Sequence, residues 1–324
     1  MDSLTLYPLM LKPAVKNYLW GGSRLKTEFG FQTEDEIAAE AWLLSCHKDG
    51  PSMVENGPLA GHTLADALAV WGPAALGEKA AAFPYFPLLI KLIDARDRLS
   101  IQVHPDDAYA MRVEGEFGKT EMWYVVDCEP GAELIYGFRC GLTKEEFRRR
   151  IETNTLTDVC NRVPVKKGDV FFIEAGTLHA IGAGILIAEV QQNSNTTYRV
   201  SDYGRLGADG KPRPLHVDKA VEVTHTVPPT RPYGQIGETA EVPGGTVRPL
   251  AACELFTTQL LTVKENMLVG CTDSFASLLC LDGSCSLSVK GWEPLQLRKG
   301  TSVFLPAGMT AKVSGRAELL CSRV

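Results

Sequence analysis

The stretch RKGTSVFLPAGMTAKV, residues 298–313, repeats the design of KKGDVFFIEAGTLHAI, residues 166–181. Lys167-Gly168 falls on Lys299-Gly300, Ala175-Gly176 on Ala307-Gly308, and His179 on Ala311. Each copy reads as a glycine-bounded turn, a short apolar strand and a second turn. Lys-Gly and Ala-Gly recur at one spacing, which marks two copies of a structural unit. Alanine stands in the second copy where the first has histidine, so chemistry that needs an imidazole belongs to the first.

Other short apolar runs closed by Gly, Asn or Asp carry the same rhythm, among them GILIAEVQ at 184–191 and SLLCLDG at 277–283. Helical signals are confined to islands. Thr143-Lys-Glu-Glu146 is a capping-box pattern that opens LTKEEFRRRIETN, and the Ala- and Leu-rich stretch Thr63 to Leu76 begins with a threonine cap. A mainly β protein with helical insertions in its N-terminal part is expected. The repeated unit is similar to those of cupin barrels, in which such a turn precedes a metal-ligand position, and the resemblance implies two cupin (jelly-roll) β-barrels. The segment THTVPPTRPYGQIGETAEVPGG, 224–245, is dense in Pro, Gly and Thr and reads as the junction. The expected division is 1–235, a catalytic metal-binding cupin domain with helical insertions, and 236–324, a C-terminal cupin-like domain without metal ligands.

A chain of 324 residues suits two domains of ordinary size or one large one. With 45% hydrophobic and 22% charged residues it has the balance of a packed globular protein. A net charge of −6, with Lys and Arg scattered along the chain, argues against nucleic acid as a partner. The N-terminal sequence lacks a basic stretch followed by an apolar core and a cleavage site, so no secretory leader is read there. The most apolar run, Phe83 to Ile93, contains Lys91 and falls well short of the roughly 20 residues that span a bilayer, so no membrane anchor is expected. Nine cysteines include no Cys-x-x-Cys pair and read as reduced thiols of a cytoplasmic protein.

The sharpest local motif is Leu99-Ser-Ile-Gln-Val-His-Pro-Asp-Asp107. Strand alternation puts Gln102 and His104 on one face, with Ser100 below them, so an amide oxygen and an imidazole address the same point. A lone Gln-x-His is more often two polar residues facing solvent. Here partners exist: Glu121 precedes an apolar strand in GKTEMWYV, and His179 follows Glu174-Ala-Gly-Thr-Leu. Two imidazoles, a carboxylate and a neutral oxygen suit Zn²⁺ or another borderline divalent ion. His47, His62, His216 and His225 have no comparable setting and read as surface or satisfied histidines. Lys91, inside PLLIKLI, is costly to bury unless paired or deprotonated, and burial would move it toward the range a proton-transfer catalyst needs.

Three separated segments, FPLLIKLIDARDRLSIQVHPDD, GKTEMWYV and EAGTLHAIGAGILIAEVQQNSNTTYRVSDYGR, together with EAWLLSCHKDGPS, resemble the type I phosphomannose isomerase family in the family's own order. The likeness spans about Leu11 to Val223, and the chain length resembles the short bacterial form without a large separate helical domain. The resemblance implies a zinc-dependent isomerase acting on a small sugar phosphate, interconverting mannose 6-phosphate and fructose 6-phosphate through a cis-enediol. It places one zinc per chain on Gln102, His104, Glu121 and His179, and marks Arg199, Lys91 and Lys119 as active-site residues, with Arg199 and Lys119 on the substrate. An amide is a weak ligand for such an ion, so the metal would be held chiefly by the two histidines and Glu121. Arg199, in NTTYRVSDYG, offers a planar charged fork to a phosphate or a developing enediolate, against the alternative of an ion pair with Asp202. Lys91, Glu174 or a zinc-bound water remain open as the general base.

Two other classes compete. Two histidines and a carboxylate also suit an iron-dependent cupin oxygenase, but those enzymes carry His-x-His with a glutamate a few residues later, whereas here Gln102 takes the first place and Glu121 lies well downstream. A non-catalytic sugar-binding cupin would not need all four candidate ligands and Arg199. The C-terminal copy, with Ala276 near the place of Glu121 and Ala311 at that of His179, reads as a buttress.

Overall fold

A computed structural model describes residues 5–207 and 210–324. The first four residues of the leader reading lie outside the described residues.

The repeat survives folding residue by residue. Strand Val170–Ile173 pairs antiparallel with Glu121–Cys128, Val170 opposite Tyr124 and Ile173 opposite Glu121. Strand Ser302–Leu305 pairs with Ala276–Ser288 in the same register, Ser302 opposite Leu279 and Leu305 opposite Ala276. The turns before these strands need glycine, because Gly168 and Gly300 sit at φ 88° and 91°, where a side chain is strained. Their N–H groups donate to Val125 and Cys280 carbonyls, both at 2.8 Å. The turns after them also match: Gly176 N–H donates to His104 O and Gly308 N–H to Cys271 O, both at 2.8 Å. Downstream, His179 faces Gln102 and Ala311 faces Val269. The places of Gln102, His104, Glu121 and His179 are therefore taken in the second copy by Val269, Cys271, Ala276 and Ala311. Val269, Ala276 and Ala311 belong to an apolar core cluster, so this copy packs hydrocarbon where the first collects polar groups.

Two compact units divide the chain, one made of the residues through Tyr18, Ser23–Leu92 and Gly234–Val324, the other of Leu19–Gly22 and Ile93–Tyr233. In the second, a five-stranded sheet runs in the order Tyr198–Ser201, Ile101–Val103, His179–Ala180, Glu133–Phe138, Cys160–Pro164, and Glu121–Cys128 lies between Val170–Ile173 and Ile185–Gln192. Helix Lys144–Glu152 turns Phe147 and Ile151 into a core with Phe138, Ile101 and Val103.

The unit holding the second copy contains a ten-stranded sheet whose path ends on Ser302–Leu305, Leu9–Lys12 and Met53–Val54. Leu9 stands opposite Phe304, and alternate burial of Leu9 and Leu11 supplies the apolar face that holds this strand in place. Residues up to 92, other than 19–22, thus group with the C-terminal part, which differs from a linear division at residue 235; the last cut, at Tyr233, falls inside the Pro/Gly-rich segment.

Both helical islands are present. Leu64–Trp71 has the reciprocal capping box, between Thr63 and Asp66. At Lys144–Glu152 the Thr143 side chain accepts from Glu146 N. Asp107–Val113, capped by Asp106, and Val217–Val223 are further helices that the sequence reading did not single out. Among the described residues, no helix is long and apolar enough to cross a membrane.

Candidate metal and substrate site

His104, at the end of the Ile101–Val103 strand, and His179, at the start of His179–Ala180, are both fully enclosed. Each ring is aimed by its Nδ1, which lies 3.0 Å from Thr196 O in His104 and 2.8 Å from Thr177 O in His179. A carbonyl can only accept, so Nδ1 carries the proton and Nε2 keeps its lone pair. The two Nε2 atoms meet at 3.1 Å. Glu121 completes the group, Oε1 at 3.4 Å from His179 Nε2 and Oε2 at 3.7 Å from His104 Nε2. Lone pairs and a carboxylate so converged repel unless a proton or a cation lies among them. Ligands about 2.0–2.1 Å from a tetrahedral zinc lie about 3.3 Å from one another, close to the separations found here. Burial lowers the His179 pKa to about 4, which keeps its imidazole neutral and able to bind metal near neutral pH. The residues fit a borderline divalent ion, and His104, Glu121 and His179 form a group able to hold one.

Gln102 stands directly opposite His179 in register, so its amide leaves the same face of the sheet. On its other side it faces Arg199, which places Arg199, Gln102 and His179 in one row across three strands. Lys119 is buried, and its Nζ lies 3.0 Å from Glu121 Oε2 and 3.9 Å from Glu189 Oε1. Glu189 accepts from Trp123 Nε1 at 2.9 Å, and the Trp123 ring packs edge-on against His179. Sequence reasoning passed over Glu189 because it sits in the apolar run GILIAEVQ; a carboxylate inside a fully buried strand was the signal that could have found it.

Asp202 is engaged by Arg205 and Arg213, at 2.8 Å and 2.7 Å, so it is not the partner of Arg199. Arg199 instead donates from Nη1 to Pro214 O, and its backbone N–H donates to His216 Nδ1. His216 is thereby tied to the site's edge, a role its sequence setting did not signal. Burial, then the nearby Arg213 charge, lower the Arg199 pKa, against the opposing pull of Asp202. Lys91 is brought to different partners, Glu40 Oε2 at 3.8 Å and the Trp42 ring face at 4.8 Å. Pairing therefore answers its burial. Glu174 is exposed and pairs with Arg231. Of the remaining histidines, His47 accepts from Asp49 N, and His62 and His225 are exposed.

Fold and site together define a cupin-class β protein with an enclosed His-Glu-His group able to hold a metal. The family model for the phosphomannose isomerase type I catalytic domain matches residues 9–125, and that for the mannose-6-phosphate isomerase cupin domain matches 247–324. The chain is 37% identical to a mannose-6-phosphate isomerase of Streptococcus mutans over 97% of its own length and 98% of the relative's. It is 36% identical to the mannose-6-phosphate isomerase ManA of Bacillus subtilis over 99% and 100%. A crystal structure of the mannose 6-phosphate isomerase from Bacillus subtilis superposes with a TM-score of 0.90 at 36% identity, covering 98% of this chain and 100% of that one. The chain belongs to the type I phosphomannose isomerase family.

Proposed function

We propose that the protein is a zinc-dependent aldose-ketose isomerase that interconverts mannose 6-phosphate and fructose 6-phosphate. The observation that carries this reading is the convergence of two oriented Nε2 atoms and the Glu121 carboxylate at one enclosed point, in a chain of this family. His104, Glu121 and His179 hold the ion, with Gln102 as the weaker fourth ligand. When bound, zinc supplies Lewis acidity for the C1 and C2 oxygens without any redox change.

The chain's own residues do the rest. Arg199, in the same row as Gln102 and His179, offers its guanidinium to the negative charge of the sugar phosphate or of the cis-enediol formed as the proton moves between C2 and C1. Lys119, held between Glu121 and Glu189, donates to substrate oxygens in this reading, and its enclosure strengthens that interaction. Lys91 remains a candidate for proton transfer, with Glu40 as its counter-charge. Remote binding of the phosphate orients the reacting carbons. Each copy of the repeat is a cupin-type jelly roll in this reading; the residues that carry catalysis all fall within 1–235, although part of that span packs with the C-terminal unit, and 236–324 hold the metal-free copy. Nine free cysteines support work in a reducing compartment, the cytoplasm.

The test is formation of fructose 6-phosphate from mannose 6-phosphate by the purified protein, before and after chelation and with zinc restored, with glucose 6-phosphate as control. Turnover lost to chelator and regained with zinc is expected. Absence of turnover with one zinc bound per chain overturns the reading.

A further inference from the structure

Strand Ile185–Gln192 carries a side chain that the reading above leaves unused. Gln191 is fully buried and stands directly opposite Glu121, so both side chains leave the same face of the sheet, with Cβ atoms about 4.5–5.5 Å apart. Its Nε2 donates to Gln192 O at 2.8 Å and Ser194 O at 2.7 Å. Only the NH₂ end of an amide can donate to two carbonyls, so the oxygen is fixed at the other end. That Oε1 is buried and has no protein donor. Neighbouring Gln192 shows the ordinary solution: its Oε1 accepts from Thr120 N and its Nε2 donates to Asp107. Buried acceptors are nearly always paired, so an oriented amide that satisfies its donors and leaves its acceptor bare calls for a partner beyond the protein. The same polar segment holds two more buried polar atoms without a protein partner, Asn193 Oδ1 and Arg199 Nε. A segment that leaves two acceptors and a guanidinium N–H bare matches a polyol bearing negative charge.

We propose that Gln191 is a further binding residue of the site, its Oε1 accepting a hydrogen bond from an O–H group held beside Glu121. The donor is a hydroxyl of the sugar or a water on the bound metal. This rests on the sugar-phosphate isomerase reading. Gln191 acts by positioning that O–H, and no proton leaves it.

The test compares wild type with Gln191→Met in inhibition constants for mannose 6-phosphate analogues lacking the 2-, 3-, 4- or 5-hydroxyl, alongside zinc affinity and the pH profile of turnover. If the donor is a sugar hydroxyl, wild type loses roughly tenfold in affinity for one analogue relative to the others, and that penalty disappears in Gln191→Met. If it is a water on the metal, all analogue ratios stay as in wild type, while zinc affinity falls at least several-fold and the pH profile shifts. Unchanged ratios, zinc affinity and pH profile together overturn the proposal. Should Gln191→Met not fold, Gln191→Leu likewise removes the acceptor without adding a charge beside Glu121, and it is read in the same way. A wild type that never turns over mannose 6-phosphate overturns the isomerase reading instead, and zinc affinity alone then decides the role of Gln191.

Discussion

His104 and His179 hold their Nε2 atoms 3.1 Å apart while the Nδ1 of each is committed to a backbone carbonyl. The rings cannot turn away from one another without giving up those bonds, so the pair is preorganised for a shared cation. Alanine at His104, Glu121 or His179 is expected to weaken zinc binding on the order of 100-fold, and Gln102→Ala by roughly tenfold because an amide oxygen is the poorer donor. Competition with a chromogenic chelator measures each value. Unchanged affinity in any one variant removes that residue from the ligand set.

Much of this was legible because duplication writes the same register twice. The alignment of 166–181 with 298–313 set Ala311 on His179, and folding puts both opposite equivalent residues, Val269 and Gln102. Pairing between distant segments was not legible. The short strand Leu9–Lys12 has an alternating pattern that says which face is buried, but nothing in four residues names Ser302–Leu305 as its neighbour. Lys91 illustrates the same limit: its sequence setting stated the problem of a buried amine, while Glu40, far upstream, supplies the answer. Gln191 and Glu189 were hidden because periodicity treats a fully buried strand as core, whichever chemistry its polar members carry.

Gly176 and Gly308 occupy equivalent turns at φ 87° and 76°, yet their surroundings differ. A Cβ on Gly176 would lie 2.8 Å from the His225 ring, whereas one on Gly308 meets nothing within 4 Å. Gly308→Ala should cost about 1 kcal/mol of backbone strain and leave zinc affinity alone. Gly176→Ala must also displace the exposed His225 ring or the turn that bonds His104 O and carries Thr177, so it is expected to cost more, and zinc binding weakens where the turn is what moves. Denaturant midpoints and zinc titrations on the two variants separate strain from site distortion; equal zinc affinities would mean that the turn does not position the histidines.

Lys91 and Glu40 form a buried pair beside Trp42, which donates to the same carboxylate at 2.7 Å. Removing the amine leaves the carboxylate without its counter-charge, and Lys91→Ala is expected to cost about 3–5 kcal/mol in urea unfolding. The double variant Lys91→Met with Glu40→Gln should recover most of that stability. Turnover decides the catalytic question: a stable double variant that still lacks activity assigns proton transfer to Lys91, and one that regains it makes the pair structural.

Burial pushes the thiols of Cys160 and Cys280 up to about 12 and those of Cys285 and Cys321 to about 11. Below the ordinary thiol value of about 8.5 both folded and unfolded chains keep these protons, and the full contribution to stability is present. Above it the unfolded chain releases protons that the native state retains, so stability falls with rising pH until about 11–12, where the folded thiols ionise as well. Urea midpoints should therefore decline from about pH 9 upward. Cys280→Ala and Cys321→Ala lower the midpoint at pH 7 through lost packing, but they should flatten the alkaline slope, because that slope counts protons and not contacts. At pH 8 a thiol reagent should label exposed Cys140 while these four stay protected until urea is added. An alkaline slope untouched by either substitution would show that other groups govern the decline.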